Sequence, residues 1–375
     1  MWNPQSLYSD FLLRQPTILC GANSIRGLFT YPSSKVAVIY GSGFKESDKE
    51  LFSKSVKSFD LKYLKKSWSG EPTLEELGGT IDELERFKPD VIIAVGGGAV
   101  IDGCKMARLY YEFPFFDSAM TRFNYLEWKT SFIAIPTTVG SGAEASSAAV
   151  ILNKELKRKE MIVNNALMPS VVVLSPDYIK RSPEQLVVSS ALDAISHIVE
   201  GYVSVINNDL ADLLAEKGLQ ILVEELRKAE YAQVNFLRLQ YAGYLAGIVQ
   251  NHCIVGIAHA VAHQLAYYGY SHSMGVALML PQAIKENSKD KFVQIRYQKL
   301  IQESGMKDIE ELLSFIWVLR ERAGITQSIY ERSKVLLNSL LSDCMFIDNV
   351  INDRGGKGNP VPITKGMVEK LIENY

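Results

Sequence analysis

VIIAVGGGAVIDGCK, from Val91 to Lys105, decides the fold. An apolar, β-branched run leads into three glycines and then a helical segment. A strand feeding directly into a helix is the unit of a parallel sheet covered by helices on both faces. Consecutive glycines let backbone N–H groups turn toward a bound anion, and the following helix adds the positive end of its dipole. A phosphate, such as a dinucleotide pyrophosphate, is the functional reading. A bare tight turn needs one glycine and has little use for three. The stretch matches neither GxGxxG nor a P-loop.

Working outward, KVAVIY (Lys35–Tyr40), DVIIAV (Asp90–Val95), SFIAIP (Ser131–Pro136) and SVVVLS (Ser170–Ser175) read as buried strands. TLEELGGTIDELERF (Thr73–Phe87) reads as a helix, with Thr73 and Glu76 placed for a capping box. After Pro176 the apolar spacing becomes helical, as in Ala211–Ala229, and no strand pattern recurs. Ser182-Pro183-Glu184-Gln185 reads as an N-cap serine followed by proline at the first helical position. The expectation is an α/β dinucleotide-binding domain over residues 1–177, with a mostly parallel sheet, and an all-α metal and substrate domain over 178–375.

Two more strand exits are rich in glycine. IPTTVGSGAEAS (Ile135–Ser146) carries Thr137, Thr138 and Ser141, and VIYGSGFKES (Val38–Ser47) carries Gly41, Ser42, Gly43 and Lys45. Exits on one edge of a sheet suit a ligand lying across the carboxyl ends of its strands. NAD-selective sites often place a carboxylate on the adenosine ribose after an early strand. Here none precedes Glu46, which favours NADP(H) over NAD(H).

Bulk properties exclude several classes. A chain of 375 residues with 47% hydrophobic and 22% charged residues is that of an ordinary globular protein. A net charge of −2 argues against nucleic acid or an acidic membrane as partner. The basic run KELKRKE (Lys154–Glu160) reads as a solvated loop. The four scattered cysteines suit free thiols in a reducing compartment. No signal peptide or membrane span is read, so the expected location is cytoplasmic.

Four of the chain's five histidines fall in two clusters. Asp193 and His197 are four apart in SSALDAISHIVEGY, and so are His259 and His263 in GIAHAVAHQLAYYGYSHSMG, which also holds His272. Residues four apart share one helix face and can chelate one ion. One carboxylate with two or three imidazoles suits Fe(II) or Zn(II). Spacing does not say which of His259 and His263 coordinates.

GGGAVIDGCK, IPTTVGSGAEAS, ALDAISH and GIAHAVAH…SHSMGVALMLP, in that order, resemble the iron-containing (group III) alcohol dehydrogenase family, within the dehydroquinate synthase-like superfamily. The resemblance runs from Lys35 to GNPVPIT (Gly358–Thr364). It implies metal ligands Asp193, His197, His259 and His272, with His263 near the substrate. It assigns Gly96, Gly97, Gly98 and Asp102 to a cofactor loop, Thr137, Thr138 and Ser141 to a second loop, and Lys159 to the nicotinamide ribose. Tyr40-Gly41-Ser42-Gly43 resembles the NADP-using members. It further implies a homodimer, with metal-assisted hydride transfer between an alcohol and nicotinamide C4.

Departures alter the pocket: Ala99 replaces a serine, Ser273 a glycine, His252 an asparagine, and the loop before His272 is shorter. His252, Tyr267, Tyr268 and Tyr270 are candidate pocket residues, with packing the alternative for the tyrosines. Simple alcohols and aldehydes are the family's default substrates; some relatives take polar sugar acids or phosphonate aldehydes. A dehydroquinate synthase-like lyase is the competing reaction, but it normally lacks this four-residue ligand set.

Overall fold

The computed structural model describes residues 15–21, 24–25, 28, 35–55, 59–116, 127–153, 158–373 and 375. Its first part runs β1 (Thr17–Cys20), β2 (Lys35–Tyr40), α1 (Glu46–Ser55), β3 (Asp60–Lys65), α2 (Leu74–Phe87), β4 (Val91–Gly96), α3 (Gly98–Glu112) and β5 (Ser131–Pro136). A hairpin, β6 (Ala148–Asn153) and β7 (Arg158–Val163), precedes β8 (Val171–Leu174). Six strands form one all-parallel sheet in the order β1-β8-β5-β4-β2-β3, while β6 and β7 pair antiparallel on their own.

Strand β4 shows why the sheet is parallel. All six of its residues are buried. Ile92 and Ala94 join one apolar cluster, with Ala37, Ile39, Ala134 and Val172 from neighbouring strands. Val91, Ile93 and Val95 join the opposite one, with Val36, Val38, Ile133 and Val173. Period-two alternation between two cores is what a strand covered on both faces requires. Order reverses between β2 and β4, so the exits Gly41–Gly43 and Gly96–Gly98 flank the point where doubly wound sheets bind ligands.

All four strands read from sequence are present. The short polar β3 and the β6–β7 hairpin were not legible as strands. Arg158–Glu160, read above as part of a solvated loop, belongs to β7, whose pairing with Leu152 and Ile151 in the antiparallel ladder overrides the local charge; residues 154–157 lie outside the described set.

Helices follow: α4 (Pro176–Lys180), α5 (Glu184–Tyr202), α6 (Asp209–Leu226), α7 (Phe236–Cys253), α8 (Ile257–Leu265), α9 (His272–Asn287), α10 (Lys291–Glu303), α11 (Ile309–Arg322), α12 (Gln327–Leu340), α13 (Cys344–Asn352) and α14 (Lys365–Glu373). They enclose a third apolar core. The start of α5 differs from the expectation. Pro183 itself is the N-cap, and its carbonyl accepts from Leu186 and Val187. The Ser182 hydroxyl instead donates to the Tyr178 carbonyl, closing the end of α4. Among the described residues no single helix is long and apolar enough to cross a membrane.

The capping box on α2 is complete: Thr73 Oγ1 accepts from the Glu76 N–H at 3.3 Å, and Glu76 Oε2 accepts from the Thr73 N–H at 2.9 Å. Thr73→Ala is expected to lower unfolding free energy by about 1 kcal/mol. Urea titration measures it; an unchanged midpoint would remove the cap as a determinant of this helix.

Candidate metal and dinucleotide site

Helix α5 is buried along almost its whole length and presents Asp193 and His197 one turn apart. The chain then turns sharply between α7 and α8, where Ile254 takes φ 58°. That region is costly for a β-branched residue, of order 1–3 kcal/mol, and such strain gathers at functional sites. It delivers α8, which carries His259 and His263. His272 opens α9, beyond Ser271, whose Oγ caps the Met274 N–H.

Three imidazoles surround one carboxylate oxygen. Asp193 Oδ1 lies 3.7 Å from His197 Nε2 and 3.6 Å from the Nε2 atoms of both His259 and His272. The four ligand atoms all lie within 4.8 Å of one another. Metal–ligand bonds of about 2.1 Å put tetrahedral ligand atoms about 3.4 Å apart, so the spacing suits one ion at the centre. Asp193 Oδ1, His197 Nε2 and His259 Nε2 are buried with no hydrogen-bond partner. Buried polar atoms are rarely left so, and here all three point at one volume. The residues fit a divalent ion.

Charges follow the crowding. Burial would raise the Asp193 carboxyl, but His197, His272 and His259 outweigh it and hold it far below the usual range. Burial presses His197 down to about 4 against the pull of Asp193. Burial also opposes protonation of His259, yet Asp193 and Glu200 raise it to about 9.

Glu200 is the residue that sequence reading missed. Its Oε2 meets His259 Nδ1 at 2.5 Å and its Oε1 accepts from the Ala258 N–H at 2.8 Å. Asn359 Oδ1 accepts from the adjacent Ile257 N–H at 3.1 Å. Both acceptors satisfy otherwise orphaned donors at the start of α8. Glu200 also fixes the Nδ1–H tautomer, which turns Nε2 toward the cluster. Glu200 sits in VEGY, three residues past His197, and its spacing marked it only as another helical acid.

His263 stands beside the cluster. Its ring stacks on His272 at 5.3 Å, and its Nδ1 lies 3.0 Å from both carboxylate oxygens of Asp353. Burial pushes Asp353 up, but His263 and the N–H groups of Gly355 and Gly356 bring it below its ordinary value. His263 and His272 side chains are 19% and 25% exposed, against 1% for His197 and His259, so the cluster opens on their side.

The glycine-rich exits converge. Gly96 ends β4, Gly97 is the N-cap of α3, and Gly98 is its first residue. A Cβ on Gly97 would come within 3.1 Å of Thr138, and one on Gly98 within 2.7 Å of Ser141. A Cβ on Gly96 would strike Val100 at 2.5 Å, and one on Gly43 would lie 3.4 Å from Thr137. Packing therefore uses all three consecutive glycines, contrary to the expectation that a turn needs only one. Ser42 accepts at its carbonyl from Lys45 Nζ at 3.1 Å. Ala99 keeps a structural contact despite its lost hydroxyl, since its carbonyl accepts from the Trp68 indole at 3.1 Å.

The second exit also docks on the histidine helix. A Cβ on Gly140 would fall 1.5 Å from the Ser190 carbonyl oxygen, three residues before Asp193. The Val139 N–H donates to Ser190 Oγ at 3.2 Å. The two half-sites thus share backbone contact.

Other candidates fall variously. Asp102 is drawn inward, its Oδ2 accepting from the Val150 N–H at 3.3 Å and its Oδ1 3.5 Å from Lys105 Nζ. Lys159, from β7, pairs with Glu71 at 2.7 Å, and its charge helps depress His272, where burial dominates. Tyr267 Oη reaches the Asn153 carbonyl at 3.5 Å. Tyr270 packs on the helical core and bonds Ser333 Oγ at 3.0 Å, the packing alternative; Tyr268 is exposed. His252 is half-buried on the last turn of α7, and burial lowers its pKa.

A doubly wound sheet whose glycine-rich exits abut an aspartate–histidine cluster defines an enzyme that brings a dinucleotide to a metal. Residues 16–176 match the family described as iron-containing alcohol dehydrogenase, and residues 187–375 match the C-terminal part of the Fe-containing alcohol dehydrogenase family. The chain belongs to the iron-containing alcohol dehydrogenase family, and is an oxidoreductase acting between alcohols and aldehydes. Membership implies a metal and a nicotinamide dinucleotide. The NADPH-dependent butanol dehydrogenase of Clostridium saccharobutylicum is 26% identical over 380 aligned positions, covering 95% of each chain. An alcohol dehydrogenase of Thermococcus barophilus is 28% identical over 320, covering 81% of each. In fold, the iron-containing alcohol dehydrogenase of Thermococcus thioreducens superposes with a TM-score of 0.86 at 24% identity, over 97% of this chain and 99% of that one.

One buried acid in the second exit has a measurable consequence. Burial raises Glu144 to about 7 from an ordinary 4.5, against its own backbone hydrogen bond and Lys105. The folded state therefore keeps a proton that the unfolded chain gives up near 4.5, so stability falls as pH rises from there to about 7, then levels. Glu144→Gln removes this slope. Urea unfolding from pH 4.5 to 8 should show the variant gaining on the wild type; parallel curves would exclude the effect.

Proposed function

We propose that Asp193, His197, His259 and His272 hold Fe(II) or Zn(II), and that the chain uses NADP(H) in preference to NAD(H). The observation that carries the reading is the set of three imidazole nitrogens around Asp193 Oδ1, in backbone contact with the glycine-rich exits. In this division residues 1–177 bind the dinucleotide and 178–375 the metal. When bound, the ion supplies a Lewis acid for the alcohol or carbonyl oxygen, and the nicotinamide exchanges hydride with its carbon.

The chain's own residues do the rest. Glu200 holds His259 in the tautomer whose Nε2 faces the cluster. Asp353 accepts the Nδ1–H of His263, which leaves His263 Nε2 to take or return the alcohol proton on the open side. Gly96, Gly97, Gly98, Thr138 and Ser141 form the walls against which the pyrophosphate lies, and Lys159, steadied by Glu71, supplies a positive charge beside His272. The NADP(H) preference rests on the Gly41–Lys45 exit. Lys45 Nζ is anchored on the Ser42 carbonyl, and the Asp48 carboxylate is consumed by the Lys45 N–H and Arg181. A 2′-phosphate meets a cation there and no free acid.

Three variants test these roles. Asp193→Asn is expected to lose bound metal, measured by elemental analysis after anaerobic purification, together with turnover of an aldehyde panel. His263→Gln should keep its metal while kcat falls by roughly 10²-fold or more; an unchanged kcat would make His263 a packing residue. Ser42→Asp should move the NADPH-to-NADH ratio of kcat/KM toward NADH by about tenfold, one charge–charge repulsion of roughly 1.4 kcal/mol. Equal ratios in the two proteins would overturn the cofactor reading.

A further inference from the structure

The pair of Glu71 and Lys159 is fixed in place by the backbone around it. Gly70 takes φ 63°, in the left-handed region that glycine adopts freely, and turns the chain into Glu71. Just upstream, the Trp68 indole donates to the Ala99 carbonyl in the first turn of α3. Just downstream, the Pro72 carbonyl accepts from the Leu152 N–H at 2.9 Å. Leu152 is the residue of β6 that stands opposite Lys159 in the hairpin. The loop is thus tied to the dinucleotide helix on one side and to the hairpin on the other, and Glu71 Oε1 meets Lys159 Nζ at 2.7 Å.

Stability is a poor reason for this pair. The side chains of Lys159 and Glu71 are 6% and 27% exposed, and taking two charges out of water costs about as much as their attraction returns. Its effect on the site is electrostatic. Burial would raise the Glu71 carboxyl, but Lys159 outweighs it and holds it below its ordinary value, so Glu71 is an anion at neutral pH. Strand β7, which carries Lys159, lies against α8, the helix of His259 and His263. Lys159 is close enough to help depress His272, where burial dominates, and Glu71 is close enough to feel His263. Both charges therefore act on the side where the cluster is open.

Hydride passes only between atoms held about 3–3.5 Å apart. A nicotinamide that serves the cluster must then lie on its open side, beside His263 and His272. That ring is the part of the dinucleotide whose charge changes in the reaction: it is cationic when oxidised and neutral when reduced. A lone ammonium at Lys159 would repel the oxidised ring and leave the reduced one almost untouched. Glu71 cancels that charge.

We propose that Glu71 sets the balance between the two redox forms of the cofactor: by neutralising Lys159 it raises the affinity for the oxidised, cationic nicotinamide relative to the reduced one. This rests on the cofactor reading above, which places Lys159 beside His272 and the nicotinamide. Glu71 touches no reacting atom in this account and acts through Lys159 and the field at the ring.

Full-length, metal-loaded protein is titrated with NADPH by the fluorescence of the reduced ring, and NADP⁺ and 2′,5′-ADP are measured by displacing it. Glu71→Gln keeps the shape and an acceptor for Lys159 while removing the charge. Its Kd for NADP⁺ is expected to rise by about tenfold, and that for NADPH by less than about threefold. The fragment 2′,5′-ADP has no nicotinamide and should bind both proteins equally, which also shows that the variant is folded. Lys159→Gln should move the ratio of the NADP⁺ and NADPH Kd values the opposite way. The double variant is neutral again and should restore the wild-type ratio. An unchanged ratio in Glu71→Gln, or a double variant no closer to wild type, overturns the proposal. Reading the same ratio with NAD⁺ and NADH keeps the test valid if the NADP(H) preference fails. A wild type that turns over aldehydes with metal bound, beside an unchanged ratio in Glu71→Gln, sinks this inference alone and leaves the metal and cofactor reading standing.

Discussion

The site depends on one buried carboxylate. Glu200 contributes one oxygen to the amino end of α8 and the other to His259, so a helix start and an imidazole orientation are fixed together. Gly256 makes room for this, since a Cβ there would lie 2.8 Å from Glu200 Oε1 and 2.7 Å from Asn359 Oδ1. Asn359 in turn exchanges two amide hydrogen bonds with Asn287 on α9, the helix that begins at His272. Three segments far apart in sequence are thereby locked around one imidazole. Removing any member would leave buried polar groups unmatched, which is why such networks hold a single geometry.

The same economy governs the join between the two halves. A loop of the parallel sheet and a helix of the second half meet backbone to backbone at Gly140 and Ser190. Side chains could not bring this glycine-rich loop so close to Asp193 and His197. The aspartate–histidine cluster is correspondingly buried on the α5 side and open near His263 and His272, so access to it is from one face.

Much of this architecture could be read along the chain. Strand β4 declared itself because a strand covered on both faces is apolar throughout. Helix α2 declared its own start through Thr73 and Glu76. By contrast β3, with the pattern DLKYLK, and the β6–β7 hairpin draw their stability from pairing partners that no local window contains. The Ser182-Pro183 start was misassigned by one residue for a related reason: the Ser182 hydroxyl found a carbonyl in the preceding helix. The three glycines were read as a phosphate device, yet each also answers to a neighbour that only folding brings near.

Sequence by itself determined the parallel sheet, the helical second half and the chemical types at the site, because periodicity and i,i+4 spacing are local properties. Spacing left His259 and His263 equivalent, since the two lie four apart on one helix face, and only the family resemblance told them apart along the chain. Tertiary structure separated them by what stands opposite each ring. His259 faces Asp193 with its Nε2 and Glu200 with its Nδ1, while His263 faces Asp353 and open space. Which nitrogen points at an ion is decided by the partner of the other nitrogen, and those partners lie 59 and 90 residues away.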